Sequence, residues 1–173
     1  MADSLDALLS VIHSRKSVRN FEDGNKVIPK ETLDTIVKAA FAAPSAVNWQ
    51  PWHFIVINER ALLDNLGSLP YAKMLYKSSA AIIVCGDTQV SELYWIVDCA
   101  AATQNILLSV EALGLGAVWT AVYPHDERIS FVKKLLHLPD NIIPLNVIPV
   151  GYPSGTNKPK DKYKPQKVHM NGW

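Results

Sequence analysis

The chain has almost no net charge and little of the side-chain chemistry that makes nucleophilic or metal-dependent active sites. Its 17 Lys and Arg residues nearly balance 16 Asp and Glu, which leaves a net charge of +1. Such a balance produces no overall field to attract nucleic acid or an anionic membrane. The five histidines are scattered without metal-ligand spacing, and neither a G-x-S-x-G elbow nor a P-loop occurs. We therefore expect no metal, no nucleic-acid partner and no catalytic nucleophile from the protein itself.

Cysteine is also scarce, and the two that occur do not form a C-x-x-C pair. Cys85 and Cys99 lie in apolar surroundings, which is typical of buried free thiols in a reducing compartment. Asp3 and Asp6 stand where a secretory signal would carry cations. The longest apolar stretch, 93–115, is interrupted by polar residues and predicts a buried helix rather than a membrane span. We expect a cytoplasmic protein with no membrane partner.

Length and periodicity predict a single domain over residues 1–173. The chain has 173 residues, of which 49% are hydrophobic, enough for one substantial core. Separated apolar strands alternate with helices, so an α+β or α/β sandwich is expected, although spacing alone does not choose the strand order. Helices are predicted near 5–12, 30–43, 59–66, 71–77, 91–113 and 125–136, strands at 53–57, 80–85 and 145–150, and a strand or strand-like loop at 117–122.

The last part of the chain, 151–173, is rich in Lys and Pro and has no helical period. Composition alone favours a disordered tail. Val168, Met170 and Trp173 instead favour an extended arm that docks its apolar side chains. We expect such a long arm to wrap around a partner subunit.

A basic segment at 15–19 follows the first predicted helix. It contains Arg15, Lys16, Ser17 and Arg19, and a phosphomonoester requires this combination of cations and hydroxyl in a small space. The alternative is that these charges complement the dipole at a helix end. Nucleic acid is disfavoured because no aromatic side chains are interleaved with the cations.

The loop at 43–54 joins a predicted helix to a predicted strand and contains two tryptophans. Ser45 and Asn48 offer hydrogen bonds to a flat polar ligand. An alternative is that Gln50 bonds loop backbone and that both tryptophans belong to the core. The residues leave these two interpretations open.

The segment 114–121 begins with Gly-Leu-Gly but is not a dinucleotide fingerprint. The third glycine of G-x-G-x-x-G falls at Trp119, and the segment leaves a helix rather than opening one. It is better explained as a helix stop followed by an extended stretch, where small Ala121 lets a flat ring approach the backbone. Asp98, inside an apolar helix, is expected to be a structural cap or a subunit contact. Because acid–base groups are few, a cofactor is expected to carry the chemistry.

Four segments in this order resemble signatures of the nitroreductase superfamily, the FMN-dependent reductases of nitro compounds and quinones. They are R-x-S-x-R at 15–19, A-P-S-A-x-N-x-Q-P-W-x-F at 43–54, G-L-G-x-x-W at 114–119 and V-H-x-N-x-W at 168–173. The chain is similar to a short member of this family. The resemblance implies an α+β fold with a central, mainly antiparallel sheet flanked by helices. It also implies an intertwined homodimer with a swapped C-terminal arm and an FMN site at the interface.

The resemblance also assigns residues to the FMN site. Those implied to hold the phosphate, ribityl chain and pyrimidine side are Arg15, Lys16, Ser17 and Arg19, with Lys162 of the tail as a further phosphate cation. Those implied to reach the flavin from the other subunit are Pro44, Ser45, Ala46 and Asn48. Those implied to run beside the isoalloxazine are Trp119, Thr120, Ala121 and Val122, with a backbone amide near Ala121 facing N5.

Three positions depart from the family pattern. Ala46 stands where family loops often have a second serine, and Lys162 where many relatives have arginine. No glutamate occurs in 119–122, although some relatives have one there.

The function implied is an FMN-dependent NAD(P)H oxidoreductase in which the protein supplies no catalytic side chain. Hydride is expected to pass from NADH or NADPH through flavin N5 to an oxidised acceptor, such as a nitroaromatic or quinone, by a ping-pong mechanism. The alternatives are a specialised flavin enzyme such as a dehalogenase, a flavin-binding or sensing protein without turnover, and a phosphate-binding module without flavin. The residues do not indicate the natural acceptor or the preferred nicotinamide.

Overall fold

A computed structural model describes residues 2–173, with side chains from Leu5 onward. It confirms an α+β fold in which helices flank an antiparallel sheet. Among the described residues, none of the helices combines the length and the apolar character that crossing a membrane requires.

The helices are α1 (Ala2–Ser14), α2 (Lys30–Phe41), α3 (Arg60–Gly67), α4 (Trp95–Ala112) and α5 (Asp126–Leu136). The strands are β1 (Trp52–Ile57), β2 (Ala80–Asp87), β3 (Gly116–Ala117), β4 (Thr120–Ala121) and β5 (Ile142–Gly151).

The sheet has the order β1-β2-β5-β3, and β4 also pairs with β5. All four pairings are antiparallel. Strand β5 begins earlier than the expected 145 and includes Pro144 and Pro149. Since proline cannot donate to a ladder, it is found where pairing is irregular. The β2–β5 register shifts between Val84 and Cys85, beside the position where Cys85 faces Pro144.

Two hydrophobic layers cover the two faces of the sheet. Successive residues of β2 alternate between them: Ile82 and Val84 pack into one layer with α2 and α4, and Ile83 and Cys85 into the other with α3 and α5. Burial on both faces explains why β2 is a continuous apolar run. The same packing makes α4, expected from the sequence as a buried helix, the main cover of one face.

Two helical predictions differ in detail from the structure. Helix α4 begins at Trp95 rather than near Ser91, whose Oγ accepts the Tyr94 N–H at 3.3 Å in the preceding turn. The short helix expected at 71–77 is a 3-10 helix over Lys73–Lys77. The preceding Tyr71 has a φ of 63°, which is outside the helical region.

Apolar side chains remain uncovered at both ends of the chain. On α1, Leu5, Leu8 and Ile12 are exposed, and in the tail Met170 and Trp173 are exposed as well. The exposed Trp173 ring stacks on His169 with ring centroids 4.4 Å apart. These surfaces are consistent with the homodimer and the docked arm, which remain predictions.

Candidate functional site

The basic segment 15–19 is fixed by the one apolar residue within it. Val18 is 1% exposed, and its N–H donates to the Ala117 carbonyl of β3 at 2.9 Å. Gly116 makes this approach possible, because a Cβ there would lie 2.7 Å from Val18 Cγ1. The residues on either side of Val18, Ser17 and Arg19, are exposed. The buried Val18 side chain thus holds its polar neighbours at the surface.

The tail returns to this segment and completes a basic cleft. The Glu22 N–H donates to the Tyr152 carbonyl and the Ser154 N–H to the Asn20 carbonyl, each at 2.9 Å. The cleft has a volume of about 250 Å³, and its lining contains six cations and one hydroxyl. Its lining residues are Arg15, Lys16, Ser17, Arg19, Lys158, Lys160 and Lys162. The structure therefore brings together five residues expected from the sequence and adds Lys158 and Lys160.

A carboxylate behind the basic cleft holds one of its cations. Lys16 Nζ donates to Glu111 Oε1 in the last turn of α4 at 2.7 Å, and the Glu111 side chain is 11% exposed. This pairing is not predictable from the sequence, since 95 positions separate the two residues. The signal that could have indicated Glu111 is its charge within the apolar stretch 93–115.

A second cleft lies along β4 and adjoins the first. This β4 cleft has a volume of about 310 Å³ and shares Arg19 with the basic cleft. Its lining residues are Arg19, Tyr71, Met74, Val118, Trp119, Thr120, Ala121 and Arg128. The structure thus places three residues of the expected strand at the cleft. The fourth, Val122, is in the core, and its N–H donates to the Leu145 carbonyl at 3.0 Å.

Arg128 and Tyr71 form one side of the β4 cleft and were not expected from the sequence. Arg128 Nη1 donates to the Ala121 carbonyl at 2.9 Å, which ties α5 to β4. The Arg128 guanidinium carbon lies 5.7 Å from the centroid of the exposed Tyr71 ring, within the range of a cation–π contact. A cation and an aromatic ring therefore stand beside the backbone of β4.

The loop residues Pro44, Ser45, Ala46 and Asn48 line neither cleft as the described residues of this chain form them. Ser45 Oγ accepts the Gln50 N–H at 3.0 Å, and Asn48 Oδ1 accepts from Gln50 Nε2 at 2.8 Å. The Gln50 side chain thus bonds a side chain of its own loop, not the loop backbone that the alternative interpretation expected. Of the two tryptophans, Trp52 is buried in the core, whereas Trp49 is exposed.

Both cysteines are fully buried in the folded protein, away from any substrate in solvent. Burial raises the pKa of both thiols, Cys85 and Cys99, to about 12. Among the described residues, no group of three or more His, Cys, Asp and Glu side chains is arranged to hold a metal. A wider cleft of about 630 Å³ between α5 and residues 68–70 includes Arg128 but none of the residues expected from the sequence. The two adjoining clefts are thus the candidate site.

Comparisons with known proteins place this chain in a family. The model of the Nitroreductase family matches residues 12–88 and 68–152. A protein of Methanothermobacter thermautotrophicus, provisionally named an NADH dehydrogenase/NAD(P)H nitroreductase, is 40% identical over 169 residues, covering 96% of this chain and 87% of its own.

Solved structures give the same result. A crystal structure from Parabacteroides distasonis ATCC 8503, under the same provisional name, is 51% identical with a TM-score of 0.92 and covers 96% of this chain and 98% of its own. An FMN-dependent nitroreductase from Clostridium difficile R20291 is 28% identical with a TM-score of 0.88, covering 95% of this chain and 99% of its own. The chain belongs to the nitroreductase family.

Proposed function

We propose that the protein is an FMN-dependent oxidoreductase that uses NADH or NADPH to reduce a small oxidised acceptor, such as a nitroaromatic or a quinone. The observation that carries the proposal is the junction of the two clefts at Arg19. One cleft has the charges for a phosphate, and the other presents a strand backbone with a small side chain at Ala121. The family, and relatives named as NAD(P)H nitroreductases or as FMN-dependent, support the same function.

The lining residues of the two clefts match two different parts of FMN. A phosphate dianion suits a lining of six cations and a hydroxyl, and arginine offers it a bidentate fork. Each cleft alone is at or below the lower end of the volume range of ligand pockets, about 300–1,000 Å³. A ligand that fills both must carry an anionic group at one end and a flat group at the other. FMN has this shape, whereas FAD would have to place an adenylate among the cations.

Bound FMN would supply the chemistry that the side chains lack, by accepting a hydride from NAD(P)H and passing it to the acceptor. The residues of this chain would hold and orient the cofactor. Arg15 and Lys158 would hold the phosphate, and Arg19, which lines both clefts, would provide a cation for the pyrimidine side of the cofactor. The Arg128 bond to the Ala121 carbonyl keeps the β4 backbone in place.

The site is proposed to be shared between two copies of the chain. The loop 44–48 lines neither cleft of its own chain, as far as the structure describes it. The exposed leucines of α1 and the exposed Met170 and Trp173 leave apolar surface that a partner would cover. We infer a homodimer in which the arm 151–173 wraps the partner and loop 44–48 completes the partner's site. The free thiols support a reducing, cytoplasmic compartment.

The nicotinamide and the acceptor are proposed to use the β4 cleft in turn. The sequence has no intact G-x-G-x-x-G, so no separate dinucleotide site is expected. Initial rates at several fixed acceptor concentrations should give parallel double-reciprocal lines. Intersecting lines with a measurable ternary complex would show that NAD(P)H has a site of its own.

The decisive experiment is the absorption spectrum of the purified protein, followed by anaerobic addition of each nicotinamide. A flavin spectrum that bleaches with NADH or NADPH and returns with a quinone supports the proposal. A flavin that does not bleach identifies a binding or sensing protein without turnover. Colourless protein that takes up no FMN contradicts the proposal, and release of the halide from a halogenated aromatic would favour a dehalogenase.

A further inference from the structure

A buried carboxylate on α4 stands directly behind the loop 44–48. Asp98 lies in the first turn of the helix and is 5% exposed. Its Oδ1 accepts the Ala46 N–H at 3.0 Å. Its Oδ2 is buried, and no described residue donates a hydrogen bond to it. A half-satisfied buried carboxylate is costly compared with an apolar side chain of similar size, so folding alone does not account for an aspartate here.

The loop that Asp98 contacts has a strained backbone. Val47, Asn48 and Gln50 have φ values of 52°, 59° and 52°, in the left-handed region that side-chain-bearing residues seldom adopt. The β-branched Val47 is especially disfavoured there. Such conformations persist only when surrounding contacts hold them, and they concentrate at functional sites.

The bond from Asp98 is what ties this loop to another element. The contacts of Gln50 with Ser45 and Asn48 lie within the loop and would move with it. Among the described residues, the Ala46–Asp98 bond is the one hydrogen bond that joins 44–50 to a different helix or strand. The first turn of a helix is also a favourable place for an acidic side chain.

We propose that Asp98 is a positioning residue that clamps the loop 44–48 in the left-handed conformation required to contact FMN. This proposal rests on the proposed function, in which Pro44, Ser45 and Asn48 meet the flavin of the partner. It assigns Asp98 a role distinct from that of a core residue. Removing the carboxylate oxygen that accepts the Ala46 N–H should release the loop and weaken FMN binding. The unfolding midpoint of the cofactor-free chain should not fall in the same variants.

The test uses the full-length protein with Asp98→Leu and Asp98→Ala, which remove the acceptor, and Asp98→Asn, which keeps an oxygen. Hydrogen exchange of the peptide 43–51 is measured without FMN, and FMN affinity and urea midpoints are measured separately. Both acceptor-free variants should exchange faster and bind FMN about ten- to a hundred-fold more weakly, because the hydrogen bond that holds the loop in its binding conformation is lost. Asp98→Asn should stay closer to wild type than either.

Asn105→Leu is the matched control, because Asn105 Nδ2 ties the same helix to the Ala39 carbonyl at 3.0 Å without contacting the loop. It should lower the midpoint while leaving exchange at 43–51 and FMN affinity unchanged. Wild-type exchange in both acceptor-free variants would overturn the proposal, as would faster exchange with unchanged FMN affinity. If Asp98→Leu does not fold, Asp98→Ala decides. If the wild type binds no FMN, the proposed function fails, whereas the exchange data still test the clamp.

Discussion

A single added methyl group at Gly116 should disturb the basic cleft by moving its anchor. In the wild type, Val18 packs against β3 and its N–H donates to the Ala117 carbonyl at 2.9 Å. A Cβ at Gly116 would lie 2.7 Å from Val18 Cγ1 and 2.9 Å from Val18 Cβ. Both distances are shorter than real contacts of this kind. Gly116→Ala therefore cannot keep both strand β3 and Val18 in their present positions.

The size of the effect follows from these distances. Carbon atoms pack best at about 3.5–4.0 Å, so Val18 must move by about 1 Å. Overpacking of this kind costs about 1–3 kcal/mol. Arg19 is the next residue and would move with Val18, lengthening its contact with a bound phosphate or ring. We expect FMN affinity to fall about ten-fold, which corresponds to about 1.4 kcal/mol.

The assay is urea unfolding of the cofactor-free protein combined with FMN titration, and Gly114→Ala is the control. Gly114 has a φ of 71° and no atom within 4 Å of an added Cβ, so alanine there is strained but displaces nothing. That strain costs about 1–2 kcal/mol, and FMN affinity should not change. Wild-type FMN affinity in Gly116→Ala would refute the link between Val18 and the cleft. Equal weakening in both variants would mean that lost stability, not displacement, is responsible.

Three further predictions concern the cofactor, the arm and the thiols. Arg15→Ala should weaken FMN binding about ten- to a hundred-fold in a titration, as expected for a charge-assisted phosphate contact. Wild-type affinity in this variant would mean that the segment 15–19 is only a charged helix end. Deleting residues 168–173 should lower dimer stability and FMN content together, and a folded, yellow monomer in sedimentation would contradict the arm. Cys85 and Cys99, whose pKa values burial raises to about 12, should resist thiol reagents at pH 8 until the protein unfolds. Because unfolded thiols ionise near their ordinary pKa of 9.0 and the folded ones do not, stability should fall as pH rises from about 9 towards 12.

The elements that were predicted well from the sequence are those whose burial leaves an apolar pattern within their own residues. Strand β2 was recognisable because both of its faces are covered, which makes 80–85 apolar at every position. Helix α2 was recognisable from its apolar stripe and the following Pro44. The expected start of β5, at 145, was three residues late, because the structure also accommodates Pro144 in the strand, beside an irregular β2–β5 pairing.

The parts of the site that the sequence could not predict are those that depend on distant partners. Lys158 and Lys160 join the basic cleft only because the tail docks beside Asn20, which composition does not reveal. Arg128 reaches β4 from a helix whose orientation the spacing does not fix. A polar residue within an apolar pattern can be recognised from sequence, but its partner must be found in the fold.

Helix α4 explains why one chain does not bring both predicted parts of the site together. Asp98 in its first turn holds the loop at Ala46, and Glu111 in its last turn holds Lys16. The helix rises about 20 Å from Asp98 to Glu111. The loop and the basic cleft are therefore fixed at opposite ends of one helix. A second copy of the chain, antiparallel to the first, would place the loop of one at the cleft of the other.

This arrangement predicts complementation between two defective subunits. Arg15→Ala damages only the basic cleft, and Asp98→Leu damages only the loop. If each FMN site takes its cleft from one subunit and its loop from the other, a mixed dimer has one doubly damaged site and one intact site. Refolding the two variants together should therefore yield one tight FMN per mixed dimer, measured after separating it by a tag on one variant. If each site lies within one chain, every site in the mixed dimer carries one defect, and no tight FMN binding would be recovered.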